Sequence, residues 1–131
     1  MNIRRPKLKE FHHGKPIFQV WVGPDRGRTK LEARMQESLC LGRPYDAKIF
    51  RNEVSLFIEV RRQSTFFDNS YYDCKTSLGD SAVVWHGGRN LHRMFTKRKH
   101  AERYMNRINS GCLSAAERNH LAYSLKFGLH Y

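Results

Sequence analysis

Between positions 89 and 107 the chain carries Arg89, Arg93, Lys97, Arg98, Lys99, Arg103 and Arg107 against the single acid Glu102. Cations concentrated in this way attract phosphate backbones and speed association with polyanions. Ala101, Tyr104, Met105 and Ile108 recur at helical spacing in the same stretch, so a helix capped by Thr96 is expected, with these four residues as its buried face. Lys99, Arg103, Asn106 and Arg107 then share the opposite face, and His100 borders it. Lys97, Arg98 and Lys99 occupy the first turn, where cations oppose the helix dipole. An anion docked beside the backbone N–H groups of that turn would offset this penalty. Just upstream, Gly87-Gly88-Arg89 is a loop whose backbone can approach a phosphate closely.

A second cationic segment lies at the start, where Arg4, Arg5, Lys7, Lys9 and Lys15 face only Glu10. With Pro6 and Gly14-Lys15-Pro16 it reads as a basic arm over 1–15, ahead of one domain over 16–131. The formal net charge is +12, and these two segments supply +4 and +6 of it. A surface charged only for solubility would interleave the signs. The expected contact set is therefore Arg4, Arg5, Lys7, Lys9, Arg89, Arg93, Lys97, Arg98, Lys99, Arg103, Asn106 and Arg107. Arg98 and Asn106 could reach base edges, because Arg and Asn pair bidentately with guanine and adenine. DNA and RNA fit equally well. The alternative partner is an acidic protein surface, bound by an interaction or inhibitor protein. Its anchors would be the aromatic run Phe66-Phe67-Asp68-Asn69-Ser70-Tyr71-Tyr72 and the last helix.

Catalysis is the weaker reading. His86, Arg89, His92, Arg93, His100 and Tyr104 are the residue types of a metal-independent nuclease, but their spacing is not diagnostic. No phosphate-binding Gly-Lys-Ser/Thr ending and no Gly-x-Ser-x-Gly elbow occurs. His12 and His13 are adjacent without cysteines or carboxylates at ligand spacing, so no metal or cofactor is expected. Cys40, Cys74 and Cys112 are odd in number and far apart, which fits reduced, mostly buried thiols. No apolar run approaches the ~18 residues that span a bilayer, and no signal-type apolar stretch follows the basic start. A cytoplasmic protein, or a nuclear one in a eukaryotic host, with no membrane contact is expected. Small size, high charge and the lack of familiar motifs suit a virus- or phage-encoded accessory protein.

The elements that must position these residues can be read in outline. Ile17 to Val22 is strand-like, and Gly23-Pro24-Asp25-Arg26-Gly27 breaks it. Thr29 and Glu32 have capping-box spacing ahead of a Leu31, Met35, Leu39 stripe, which predicts a helix ended by Gly42 and Pro44. Ala47–Arg51 and Val54–Arg62 flank a short turn, the second alternating Val54, Leu56, Ile58, Val60. Tyr71–Lys75 and Ala82–His86 are weaker strands. Gly111 ends the basic helix, and Ser114-Ala115-Ala116-Glu117 opens another. The order is β-α-β-β-(β-β)-α-α. It predicts an α+β fold with a mostly antiparallel sheet of about four to five strands and three helices. At 131 residues and 40% hydrophobic, the chain can bury a core without disulfides or metal.

Overall fold

The computed structural model describes residues 8–27, 29–50, 53–64, 69–78 and 91–127. β1 (Pro16–Pro24) and β2 (Leu31–Cys40) form an antiparallel hairpin, from Pro16 opposite Leu39 to Pro24 opposite Leu31. Asp25 organises the turn: its carboxylate accepts the backbone N–H groups of Thr29 at 2.8 Å and Lys30 at 3.3 Å. The predicted helix after Thr29 is therefore a strand. Leu31, Met35 and Leu39 are spaced by four, an even number, so one helix face and one strand face share the same pattern. Pairing with β1 along its whole length decides between them. No capping box forms, because Thr29 N–H goes to Asp25 and Glu32 binds Arg34 at 2.8 Å.

The chain bends at residues 41–44 and continues as β3 (Tyr45–Phe50) along the same edge of β4 (Glu53–Gln63). Cys40 lies opposite Val60 and Tyr45 opposite Phe57, so residues 41–44 face only Ile58 and Glu59. Four residues thus stand against two, and the ladder is interrupted between β2 and β3. β5 (Tyr71–Ser77) takes the other edge of β4. A short β6 (Arg93–Phe95) pairs with the outer edge of β1. The six strands of the described residues form one antiparallel sheet. It curls strongly: Gln19 on β1 donates to the Thr76 hydroxyl on β5 at 3.2 Å, although β2 and β4 lie between those strands.

Among the described residues two α-helices follow, α1 (Arg98–Asn109) and α2 (Ala115–Phe127), where the sequence predicts three. Ala101, Tyr104 and Ile108 of α1 pack on Phe18, Val20, Val22, Leu31, Ala33 and Phe95, with Leu121 of α2 beside them. This is the buried face read from the sequence, joined by the half-buried Met105. Thr96 does not cap α1. Its hydroxyl donates to Glu10 at 2.8 Å, and Lys97 takes the N-cap position with no side-chain bond. Gly111, at φ +79°, supplies the left-handed residue that ends α1. Ser114 and Glu117 do form a capping box, each accepting the other's backbone N–H, at 3.2 and 2.9 Å.

The opposite, inner face of the curled sheet has its own apolar cluster of Phe11, Ile17, Cys40, Ile58, Val60, Leu78 and Met94. Phe11 reaches it from the segment before β1, where Gly14 N–H donates to Cys40 O and Cys40 N–H to Lys15 O. The three cysteines are free thiols, but only Cys40 is buried; Cys112 is exposed in the α1–α2 link. The strand expected over 82–86 lies outside the described residues, while β6 has no counterpart among the expected strands.

Asn109, the last residue of α1, closes the open edge of β2. Its side-chain oxygen accepts Ala33 N–H at 2.7 Å and its amide donates to Ala33 O at 3.0 Å. Asn109→Ala should leave both backbone groups unbonded and cost about 2 kcal/mol, read as a lower denaturant midpoint with unchanged m.

Candidate nucleic-acid interface

The helix α1 sorts the expected cations by burial. Lys97, Lys99, Arg103 and Asn106 are exposed. Lys99, Arg103 and Asn106, at i, i+4 and i+7, form one stripe opposite Ala101, Tyr104 and Ile108. Among the described residues, Lys97, Lys99 and Arg103 make no ion pair. Glu102, the one acid on the helix, is met by Arg98 at 3.7 Å. The first turn of α1 holds no acidic residue. Its outer surface is thus a row of solvated cations with one amide among them.

Arg98 is held differently. It donates to Glu37 at 2.6 Å, and its guanidinium lies 5.1 Å from the centre of the Phe18 ring. The Arg98–Glu37 pair is about half exposed on both sides, and such pairs are worth less than about 1 kcal/mol. An incoming acceptor can displace it.

Arg93 and Arg107 sit inside the protein. Arg93, 2% exposed on β6, donates to His92 O at 2.7 Å and lies over the Tyr104 ring. Arg107 makes a two-pronged pair with Glu117 at 2.5 and 2.7 Å, with side chains 16% and 6% exposed. Hydrogen bonding to Glu117 pushes the Arg107 guanidinium above its ordinary value and keeps it charged. Burial pushes the Glu117 carboxyl up, but Arg107 and the Ser114 N–H outweigh it and hold the group below the ordinary carboxylate value. This pair joins the end of α1 to the start of α2. It holds the helices that carry the outer cations.

Lys9 is exposed on the 3-10 turn Leu8–Glu10, at the rim of a cleft of about 680 Å³ that Arg43 and His12 also line. Arg4, Arg5, Lys7 and Arg89 lie outside the described residues, as do His86 and the aromatic pair Phe66-Phe67.

Three described members of the nuclease-like set, His92, Arg93 and Tyr104, make structural contacts. The Tyr104 hydroxyl is buried and donates to Leu91 O at 2.5 Å. Burial pushes its phenol up to about 12, far from an acid or base near neutrality. His92 Nδ1 accepts the Val22 N–H at 2.9 Å. Among the described residues no three His, Cys, Asp or Glu side chains gather as a metal site, and no helix is long and apolar enough to cross a membrane.

Sequence reasoning passes over Trp21 and Arg62. Trp21 is 37% exposed on the inner face of β1, and the Arg62 guanidinium lies 6.0 Å from its ring centre. A signal for them exists: the apolar alternation Leu56, Ile58, Val60 continues in phase to Arg62, and Ile17 continues through Gln19 to Trp21. Both stripes turn polar at the same end of the sheet.

The model of the phage g100-like protein family matches residues 5–108. The chain belongs to that family. The match takes in the whole described sheet and α1 as far as Ile108, so it includes Lys9, Lys97, Lys99, Arg103 and Asn106. In this phage g100-like protein α2 lies beyond the matched stretch, tied back to it by Arg107 and Glu117. No curated protein and no solved structure matches the chain.

Proposed function

We propose that this phage g100-like protein is a phage-encoded nucleic-acid-binding protein that engages phosphates through the outer face of α1. The observation that carries the reading is the exposed pair Lys99 and Arg103 on one face of α1, with Lys97 exposed at its N-cap and the one acid of the helix already met by Arg98. Solvated cations release counterions when they neutralise phosphates, which supplies sequence-independent affinity. Asn106 lies in the same stripe and suits a base edge, with Arg98 joining once it leaves Glu37. Lys9, and Arg4, Arg5 and Lys7 before it, would extend the contact along the backbone. Arg93 and Arg107 support the helix instead of touching the ligand, because releasing Arg107 would strand the buried Glu117 charge.

Fluorescence anisotropy with labelled duplex DNA, single-stranded DNA and structured RNA across a salt series tests this. The expected result is binding that survives physiological salt, with a steep log–log slope. Weak binding to all three that disappears by physiological salt would overturn it.

One observation favours a second reading, an interaction protein for an acidic protein surface. Tyr71, Tyr72 and Tyr123 are 67%, 44% and 55% exposed, and tyrosines of this kind serve as anchors at protein interfaces. Under that reading Tyr71→Ala with Tyr123→Ala removes partner binding and leaves any nucleic-acid affinity unchanged.

A further inference from the structure

The inner face of the sheet opposite the helices ends in polar and aromatic side chains rather than apolar ones. Trp21 is fixed there by three neighbours. Its Nε1 donates to Gln36 at 3.1 Å, His92 meets its ring edge-on at 4.9 Å between centres, and Arg62 lies 6.0 Å away. Arg62 is itself oriented from below. It donates to Gln19 and, at 3.2 Å, to Ser38, and Gln19 bonds Thr76 in turn. Gln19, Ser38 and Thr76 are 4%, 5% and 9% exposed. Tyr72, directly across the strand pair from Arg62, is 44% exposed.

Burying three polar side chains under a cation is costly compared with extending the adjacent Ile17, Ile58 and Val60 cluster. The arrangement holds one part-buried guanidinium beside the Trp21 ring, with Tyr72 across the strand pair. A planar π-system carrying negative charge fits this arrangement: ring stacks on ring, and the fork takes an oxygen. Single-stranded nucleic acid offers both, with unpaired bases and phosphates, whereas a duplex hides its base faces.

We infer that Trp21, Arg62 and Tyr72 form a stacking site for single-stranded nucleic acid on the face of the sheet opposite α1. The inference rests on the nucleic-acid reading and adds to it a substrate form and a second contact surface.

The test titrates oligo(dT) and duplex DNA into the full chain, following anisotropy and intrinsic tryptophan emission. The chain has two tryptophans, Trp21 and Trp85, so comparison with Trp21→Thr isolates the Trp21 signal. Expected are quenching of wild-type emission by oligo(dT) and loss of the Trp21 share of it in the variant. Single-strand affinity should fall about tenfold or more, with duplex affinity unchanged. Arg62→Lys keeps the charge but loses the fork, and should also weaken single-strand binding; it decides the matter should Trp21→Thr fail to fold. Unchanged single-strand affinity in a folded Trp21→Thr protein, or in Arg62→Lys, overturns the inference and leaves the α1 reading standing. Wild-type protein that binds neither form overturns both.

Discussion

Replacing Lys97, Lys99 and Arg103 together with glutamine should weaken nucleic-acid binding roughly tenfold to hundredfold at physiological salt. The salt slope should become shallower by about 0.9 for each phosphate that is no longer neutralised. The three side chains are exposed and make no ion pair among the described residues, so the fold should not suffer. Melting should rise slightly, because Lys97 and Lys99 stand at the start of α1, where cations oppose the dipole. Lower affinity with equal or higher stability separates a binding role from a structural one. Arg61→Gln is the matched control. Arg61 is exposed too, but it already bonds Asp73 at 2.7 Å across β4 and β5, and its replacement should leave the slope unchanged. A triple variant with wild-type affinity and slope would sink the assignment to α1.

The second large effect is expected at Glu117. Glu117→Gln removes one charge of a buried pair and leaves Arg107 uncompensated, which costs about 3–5 kcal/mol. Part of the capping box goes with it, since Ser114 N–H bonds the same carboxylate. Chemical denaturation should show a lower midpoint, and amide exchange should show α2 loosening first. The same group gives the wild type an acid limit. In the fold Glu117 titrates below its ordinary value of 4.5, because burial, which raises it, is outweighed by Arg107 and Ser114. A carboxyl depressed by folding stabilises the protein above its unfolded value, and that contribution is lost as pH falls through the folded one. Wild-type stability should therefore fall below about pH 4.5, and Glu117→Gln should show a flatter acid profile. Burial and Arg93 lower the His120 value too, so a shallower loss should begin as pH falls below 6.5 in both proteins. Parallel acid profiles for the two proteins would refute the role given to this pair.

The parts of this fold that can be read from sequence are those written locally. β1 and β4 show in runs of β-branched and aromatic residues with period-two alternation, and α2 shows in Ser114 and Glu117. The buried face of α1 follows from spacing alone. The errors arise where local pattern is degenerate or partners are distant. β2 carries a spacing of four that suits strand and helix alike, and only the register with β1 separates them. β6 is three residues long and exists through pairing with Phe18, Gln19 and Val20, more than seventy residues earlier. The same limit applies to the site. The exposed stripe of α1 is legible because helix geometry converts sequence spacing into a surface. That Arg107 meets Glu117 depends on how α2 turns back. Trp21 and Arg62 lie on different strands, and only the curl of the sheet sets them face to face.

The most direct test of the α1 interface is amide chemical-shift mapping of the full chain titrated with duplex DNA, which the Trp21 site does not engage, at physiological ionic strength. Shifts concentrated on Lys97–Ser110 and at side chains of the Lys99, Arg103, Asn106 stripe are the expected result. Shifts confined to Tyr71, Tyr72 and α2, with α1 silent, would contradict it.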